Sequence, residues 1–213
     1  MVRLLPGLWI FGTGEACLVH SRLGNSPWTV LAEGVSKHTP LAIGTATVVI
    51  SVLVMLAWIP LKQRPGIGTL ANAVLIGVAI DVMLPLLPGP GGLAARYGFV
   101  ALGIVLVALG SGLYLTSQLG PGPRDGLMTG LHYRTGLSLR LVRTLLEGSA
   151  LIAGFLLGGR VGIGTVAFAL LVGPGVQAAV RVLGGLERVP DVRDGGRGDD
   201  LHELQAAGGN AVE

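Results

Sequence analysis

Charged residues are scarce in this sequence. Asp, Glu, Lys and Arg make up 13% of its 213 residues, whereas hydrophobic residues make up 51%. A soluble domain usually carries about 25% charged residues, so this composition excludes an ordinary water-exposed surface. The mean hydropathy is +0.70, and several apolar runs reach the roughly 20 residues that a bilayer-spanning helix needs. The sequence therefore predicts an integral membrane protein whose partner over most of its surface is the lipid bilayer.

Cysteine and catalytic motifs are also nearly absent. Cys17 is the single cysteine, which excludes an intramolecular disulfide and a cysteine cluster for zinc or iron–sulfur. The sequence contains no GxSxG, HExxH, Walker or CxxC pattern, the signatures of several hydrolase, metal and redox sites. We therefore expect no enzyme activity, no catalytic residues, no metal site and no cofactor.

Basic residues are few, and their distribution indicates orientation. No basic run is interleaved with aromatic residues, so nucleic acid is not an expected partner, and the pI near 9.5 is explained by loop Arg and Lys. If the N-terminus is inside, nine basic residues fall in cytoplasmic segments, counting Arg181 at the inner end of the sixth span, and four fall in outer segments. Because cytoplasmic loops are enriched in Arg and Lys, we predict a multi-pass bacterial plasma-membrane protein with both termini cytoplasmic.

What the sequence does contain is a repeat. Shifted by 96 positions, the stretch from Leu23 to Thr39 matches the stretch from Leu119 to Thr135, and RPGIGT at Arg64 matches RVGIGT at Arg160. From Leu23 to Asp81, 18 of 59 positions are identical. Chance would give about five with this composition, so the chain is built from two related units.

Each repeat is predicted to hold three spans and one short helix. The spans are expected at about residues 4–19, 41–61 and 66–87, then 97–117, 138–157 and 162–183, with short helices at about 27–36 and 123–133. The fold class is thus an all-α membrane protein with six transmembrane helices in two inverted three-helix repeats, because three spans are an odd number. The units are residues 1–87, a loop at 88–96, residues 97–184 and a polar, disordered cytoplasmic tail at 185–213.

The two short helices have two interpretations. Pro27 and Pro123 suit the first position of a helix, where the missing N–H would be unpaired. Short helices at matching positions of inverted repeats are typical of secondary transporters, where half-helix N-termini favour anions. The alternative is a pair of amphipathic connectors at the membrane interface, which Trp28 and Tyr133 would suit.

Ionisable residues within or beside the spans are the candidate site, because charge is expensive in a membrane. Arg124 and Asp125 open the second short helix, and Arg143 and Glu147 share one face of the fifth span. These four are the predicted substrate-binding residues. A cation is unfavourable at a helix N-terminus, so Arg124 is expected to be held by Asp125, by Glu147 or by an anion. For Arg143 and Glu147 the alternative is a buried structural pair.

Two further groups of residues complete the candidate site. Glu15 lies near the middle of the first span and is expected, with Glu147, to couple transport to a proton or another ion. The alternative for Glu15 is a carboxyl bonded to a neighbouring helix. The residues expected to break a helix or line a cavity are Pro27, Pro123, Gly173 and Pro174.

The motifs resemble a known family. LGNSPWTVLAEGVS, RPGIGT, LGPGPRDGLMTGL, VRTLLEG, LLGGRVGIGT and LVGPGVQ are similar to those of the YczE-like bacterial integral membrane proteins, grouped with the YyaS and YitT proteins. The resemblance implies a multi-spanning plasma-membrane protein and supplies no catalytic residues. Its recurring motifs coincide with Pro123, Arg124, Asp125, Gly126, Arg143, Glu147, Gly162, Gly164, Thr165, Gly173 and Pro174.

Three functions agree with these features. The first is a small secondary transporter or permease for an unknown anionic or proton-coupled solute, with a cavity between the repeats. The second is a membrane-embedded partner or regulator of another complex, which requires internally paired charges, no central cavity and a wide apolar face for a membrane-protein partner or a second copy. The third is a lipid- or quinone-handling enzyme, which requires a lateral opening to the bilayer.

Overall fold

The described part of the chain is entirely helical. The computed structural model describes residues 3–89 and 91–184, so the predicted tail lies outside the described residues. Within those ranges there are eight α-helices, a 3₁₀ turn at Leu84–Leu86 and no strand. The helices are α1 Leu4–Ser21, α2 Pro27–His38, α3 Ile43–Leu56, α4 Ile67–Met83, α5 Leu93–Leu115, α6 Pro123–Thr135, α7 Leu139–Leu156 and α8 Ile163–Gly184.

Among the described residues, three segments are long and apolar enough to cross a membrane by themselves. They are residues Ile67–Leu86, Leu93–Leu115 and Ile163–Leu183. A fourth candidate is the pair α2 and α3, which together pass the same criteria but are bent by 112° at the break between them. Such a bend describes either a broken span or a re-entrant segment. The all-helical class and the membrane-length helices agree with the composition.

The third helix is shorter than predicted. The apolar run predicted a span to residue 61, but α3 ends at Leu56 and residues 57–62 form turns. Pro60 disfavours helix at the preceding residue, and the Trp58 side chain folds into the interior, where only 2% of it is exposed. Its indole Nε1 donates to the carbonyl of Pro123 at 3.0 Å. The predicted span was therefore too long, because it counted Trp58, which packs inside the bundle, as part of the apolar helix.

The centre of the bundle is the crossing of α1 and α5. A Cβ added to Gly14 would lie 2.7 Å from the Gly103 carbonyl, and one added to Gly7 would lie 3.1 Å from the Gly110 carbonyl. The early part of α1 therefore meets the late part of α5, so the two helices run antiparallel. Gly7 and Gly14 correspond to Gly103 and Gly110 in the 96-residue shift. Each helix therefore contributes glycines at equivalent positions to the contact. Small residues allow this close backbone approach.

Each loop before a short helix packs on the opposite half of the chain. The Gly164 N–H donates to the Leu23 carbonyl at 2.9 Å, and the Gly68 N–H donates to the Leu119 carbonyl at 2.8 Å. The two hydrogen bonds are equivalent in the repeat, because Gly68 corresponds to Gly164 and Leu23 corresponds to Leu119. Gly24 and Gly120 each have φ of +118°, a conformation that residues with a Cβ rarely adopt. The two halves are therefore interlocked by equivalent contacts.

The two halves differ at one helix pair. In the first half, α3 packs on α4 where Gly44 meets Gly77, and Asp81 accepts from the N–H groups of Gly44 and Thr45 at 2.6 and 2.8 Å. Asp81 thus caps the start of α3. In the second half, α7 and α8 lack comparable packing. A Cβ added to Gly173, the counterpart of Gly77, would meet nothing within 4 Å.

We predict that Gly44→Ala destabilises the bundle. The added Cβ would overlap the Gly77 carbonyl and lie 2.6 Å from Oδ1 of Asp81, and such overpacking typically costs about 1–3 kcal/mol. Thermal unfolding of the purified protein in detergent should show a lowered midpoint. Gly98→Ala is the matched control, because a Cβ there meets nothing within 4 Å. Equal midpoints for the two variants would contradict the close α3–α4 contact.

Candidate functional site

A cavity of about 310 Å³ lies within the helix bundle. Residues of α1, α2, α4, α5, α6, α7 and α8 contribute to its wall. One end of it is polar and is formed around the starts of α2 and α6, whereas the wall toward α7 and α8 contains Leu146, Phe168, Val172 and Val176. Pockets that bind small molecules commonly combine mostly apolar walls with a few polar groups that fix orientation.

Both short helices begin at this cavity. Pro27 and Trp28 at the start of α2, and Gly122 and Arg124 at the start of α6, line it. Neither helix has a side chain that caps its first N–H groups. Because first-turn N–H groups have no intrahelical partner and carry the positive end of the helix dipole, two partial positive charges converge on one cavity. These helix starts therefore line the cavity, and Trp28 is partly buried beside it.

Glu15 ties α1 to the start of α2. Ser26 Oγ lies 2.9 and 2.8 Å from the two carboxylate oxygens, and Thr29 Oγ1 lies 2.8 Å from Oε2. All three side chains are buried. Ser26 precedes the first residue of α2 but does not cap the helix with its side chain, because its hydroxyl is directed to Glu15. The carboxyl group of Glu15 is thus bonded to a neighbouring helix and also lines the cavity.

Asp125 makes the equivalent tie in the second half. The Tyr114 hydroxyl on α5 donates to Asp125 Oδ2 at 2.7 Å, so each short helix start is bound to the preceding long helix by an acid and a hydroxyl. The acid is on the long helix in the first half and on the short helix in the second. Behind it, Gly126 packs against Trp58, which leaves no room for a Cβ. These contacts fix the start of α6 from two sides.

Arg124 extends over the start of the other short helix. Its Cζ atom lies 5.0 Å from the ring centroid of Trp28, a cation–π distance, and the residue is partly buried and lines the cavity. Within residues 3–89 and 91–184, its guanidinium forms no hydrogen bond and no ion pair within 4.0 Å. Of the three partners expected for Arg124, neither Asp125 nor Glu147 contacts it directly.

Arg143 and Glu147 form the remaining charged pair of the cavity. Arg143 Nε lies 2.8 Å from Glu147 Oε1, one helical turn away on α7. The side chains are 53% and 38% exposed, so this is not a buried structural pair. Both residues line the cavity, and Arg140, one turn earlier, is exposed. The fifth predicted span therefore presents its charged face to the cavity.

Most of the residues singled out from the sequence meet at this one place. Arg124, Asp125, Arg143, Glu147, Glu15, Pro27 and Gly173 line the cavity. Pro123 is buried directly beside it as the first residue of α6. Pro174 differs from expectation: α8 continues through it without a break, and it does not line the cavity. Whether these residues bind a solute stays a prediction.

Sequence reasoning missed several polar and aromatic residues of the wall. Tyr114, Asn72 and Phe168 line the cavity, and Thr29 holds Glu15. A signal for Tyr114 existed, since it lies one helical turn after Ser111, the counterpart of Glu15. Asn72 and Phe168 also correspond to each other in the repeat. The positions that differ between the copies were therefore the informative ones.

Comparisons with known proteins agree with the resemblance seen in the motifs. Residues 1–181 match a family described as "Family of unknown function (DUF6198)". The chain is 45% identical over 187 residues to an "Uncharacterized protein" of Haemophilus influenzae, covering 88% of this chain and 86% of the relative. It is 35% identical over 170 residues to the "Uncharacterized membrane protein YczE" of Bacillus subtilis, covering 78% and 79%.

A third relative is more distant. The "Uncharacterized protein YyaS" of Bacillus subtilis is 28% identical over 164 residues, covering 75% of this chain and 82% of the relative. No solved structure matches the chain. The similarity to YczE-like proteins that the motifs predicted is therefore confirmed.

We predict that Tyr114→Phe lowers the stability of the protein. The change leaves the Asp125 carboxylate without its hydroxyl donor, and an unsatisfied buried group costs about 1–3 kcal/mol. Thermal unfolding in detergent measures the loss, and the double variant with Asp125→Asn should be less destabilised than the sum of the single variants. Tyr133→Phe is the control, because Tyr133 is 69% exposed. Additive effects of the two changes would contradict the coupling.

Proposed function

The chain belongs to the DUF6198 family, whose function is unknown, and we propose that it is a permease-like protein of the bacterial plasma membrane that binds a small anionic solute. The observation that carries this proposal is the guanidinium of Arg124, which lies in the cavity between two helix N-termini and has no hydrogen-bonding partner among the described residues. The YczE relative is described as a membrane protein, and the apolar helices support the same location here.

The hydrogen bonds of the cavity's charged groups favour an anion over a cation. Each acid of the wall already has a partner: Glu15 has Ser26 and Thr29, Asp125 has Tyr114, and Glu147 has Arg143. Among the described residues that line the cavity, only Arg124 has a charged group without a hydrogen-bonding partner. Arg presents several N–H donors in a planar fork that matches the geometry of a carboxylate or a phosphate, so the missing partner is an anion of that kind.

The helix starts add to the same preference. The first-turn N–H groups of α2 and α6 are uncapped and face the cavity. Anions bind at helix N-termini because the N–H groups point at the ligand and the helix dipole favours negative charge. The cavity volume of about 310 Å³ lies at the lower end of the 300–1,000 Å³ that small-molecule pockets usually span, so the bound group is small.

Glu15 and Glu147 are our proposed groups for proton or ion coupling. Both line the cavity that holds Arg124. A proton taken up by either acid would change the charge seen by a bound anion, which is what coupling requires. Of the two, Glu147 is the more exposed, and Glu15 is closer to the start of α2.

We further propose that six helices cross the membrane as two inverted repeats. The antiparallel crossing of α1 and α5, with Gly7 near Gly110 and Gly14 near Gly103, supports this arrangement, since corresponding helices then run in opposite directions. The interlocked loops at Gly24 and Gly120 follow the same relation. Short helices that begin at a cavity between inverted repeats are typical of secondary transporters.

A partner or regulator of another complex is the second candidate. Two observations favour it: Arg143 and Glu147 pair with each other, and α8 exposes an apolar face that includes Leu170, 68% exposed. The cavity opposes it, because that function required a bundle without one. A stoichiometric protein that co-purifies in detergent, together with unchanged solute uptake in Glu147→Gln, would favour this second function.

We predict that anion binding depends on Arg124. Purified protein in a non-ionic detergent should be stabilised against heat by inorganic phosphate or acetate. Arg124→Gln should lower the apparent affinity for the anion at least about tenfold, since a hydrogen bond to a charged group contributes about 1.5–3 kcal/mol. Proteoliposomes should take up radiolabelled phosphate or acetate, and the variant should not.

Arg96→Gln provides the matched control for this experiment. Arg96 lies at the start of α5 and does not line the cavity, so its removal changes the net charge equally and leaves the cavity unaltered. Equal binding by wild type and both variants would refute the anion site. Binding that depends on Arg124 without any uptake would retain the site and refute transport.

The inverted topology predicts opposite sidedness for two equivalent loops. In a Cys17→Ala background, Arg64→Cys and Arg160→Cys place single thiols at exposed positions that correspond in the repeat. A membrane-impermeant maleimide should label Cys at position 160 in intact cells and Cys at position 64 only after permeabilisation. Labelling of both from the same side would contradict the inversion.

A further inference from the structure

The gap between α7 and α8 differs chemically from the rest of the cavity wall. On this side the cavity is lined by four large apolar residues, Leu146 on α7 and Phe168, Val172 and Val176 on α8. Arg143 and Glu147 on α7 and Gln177 on α8 line it beside them. The two helices scarcely touch. On either side of the gap, the outward faces expose large apolar residues, among them Leu145 and Leu170. Large apolar residues therefore stand on both the inner and the outer side of the weakly packed α7–α8 boundary.

The sequence keeps this gap open. In the first half, the equivalent helices α3 and α4 pack together because Gly44 lies against Gly77. Asp81 also accepts hydrogen bonds from the N–H groups of Gly44 and Thr45 and from the Thr45 hydroxyl. In the second half, the 96-residue shift places Arg140, Leu141 and Gln177 at the positions of Gly44, Thr45 and Asp81. A Cβ at Gly44 would already overlap the Gly77 carbonyl, so an arginine at that position excludes the same closure.

We propose that the ligand is an amphiphile: an anionic headgroup that binds beside Arg124 and an acyl or alkyl chain that leaves through the α7–α8 gap into the bilayer. This inference rests on the proposed anion site and adds its substrate class. The cavity of about 310 Å³ has room for a headgroup and a few carbons, so a longer chain must extend beyond it. Each methylene removed from water adds to the affinity, so the chain strengthens binding.

The experiment compares two probes that share the headgroup chemistry. Inorganic phosphate represents a free anion, and dodecyl phosphate represents the same anion on a chain. Radiolabelled probe is bound to wild-type protein in nanodiscs of zwitterionic lipid, and protein-free nanodiscs are subtracted. We expect dodecyl phosphate to bind at least about tenfold more tightly than phosphate and Arg124→Gln to weaken both.

A transplanted contact tests the gap itself. The triple variant Arg140→Gly/Leu141→Thr/Gln177→Asp introduces the residues that close α3 on α4 into α7 and α8. We expect the ratio of its affinities for dodecyl phosphate and for phosphate to fall toward one. Because Gln177 lines the cavity, this ratio, and not the phosphate affinity alone, is the measurement. If that variant does not fold, Gly173→Leu fills the gap, since a Cβ there meets nothing within 4 Å. Gly98→Leu, which adds the same bulk on the outer face of α5, should change neither probe.

The outcomes separate this inference from the function on which it rests. Phosphate binding that depends on Arg124, with no advantage for dodecyl phosphate, would overturn the amphiphile and leave the anion site. If dodecyl phosphate still binds more tightly than phosphate in both the triple variant and Gly173→Leu, the α7–α8 gap is not the path of the chain. Binding of neither probe through Arg124 would overturn the anion site, and the amphiphile with it.

Discussion

The close crossing of α1 and α5 is the contact on which the rest of the molecule depends. Four glycines let the two backbones approach, and in a bilayer such packing must replace the hydrophobic effect as the force that joins helices. Because the helices run antiparallel, the segment after each one emerges on opposite sides of the crossing. The two short helices can then begin beside the same cavity. A larger side chain at any of the four positions would separate the helices and enlarge the space that Arg124 and Glu15 now share.

The contacts that the two halves share and the residues that differ between them have separate roles. The equivalent contacts, such as those of Leu23 with Gly164 and Leu119 with Gly68, hold the short helices in place. The differences create the chemistry and the opening. Trp28 is replaced by Arg124, and the glycine that closes α3 on α4 is replaced by Arg140 on α7. A duplicated unit thus provides a frame in which one half can lose a packing contact while the other retains it.

Much of this arrangement could be predicted from the sequence, because it follows from local patterns and from the repeat. Pro27 and Pro123 predicted the starts of the short helices correctly, and the cost of charge in a membrane identified Arg124, Arg143, Glu147 and Glu15, which do share one cavity. The early end of α3 was not predicted, because hydropathy alone does not distinguish a lipid-facing Trp58 from one that packs against Gly126. The Tyr114–Asp125 bond and the α7–α8 gap depend on contacts between distant segments.

Arg124 is the residue whose position requires the most explanation. A cation in the first turn of a helix opposes the helix dipole, and partial burial adds a cost of desolvation. The Trp28 ring compensates for part of this cost, but the first-turn acid Asp125 is already bonded to Tyr114. A residue that only stabilised the fold would form an ion pair with one of the nearby acids, as Arg143 does with Glu147. Arg124 instead remains available at the point where two helix starts converge, which is the arrangement expected of a group that binds a ligand.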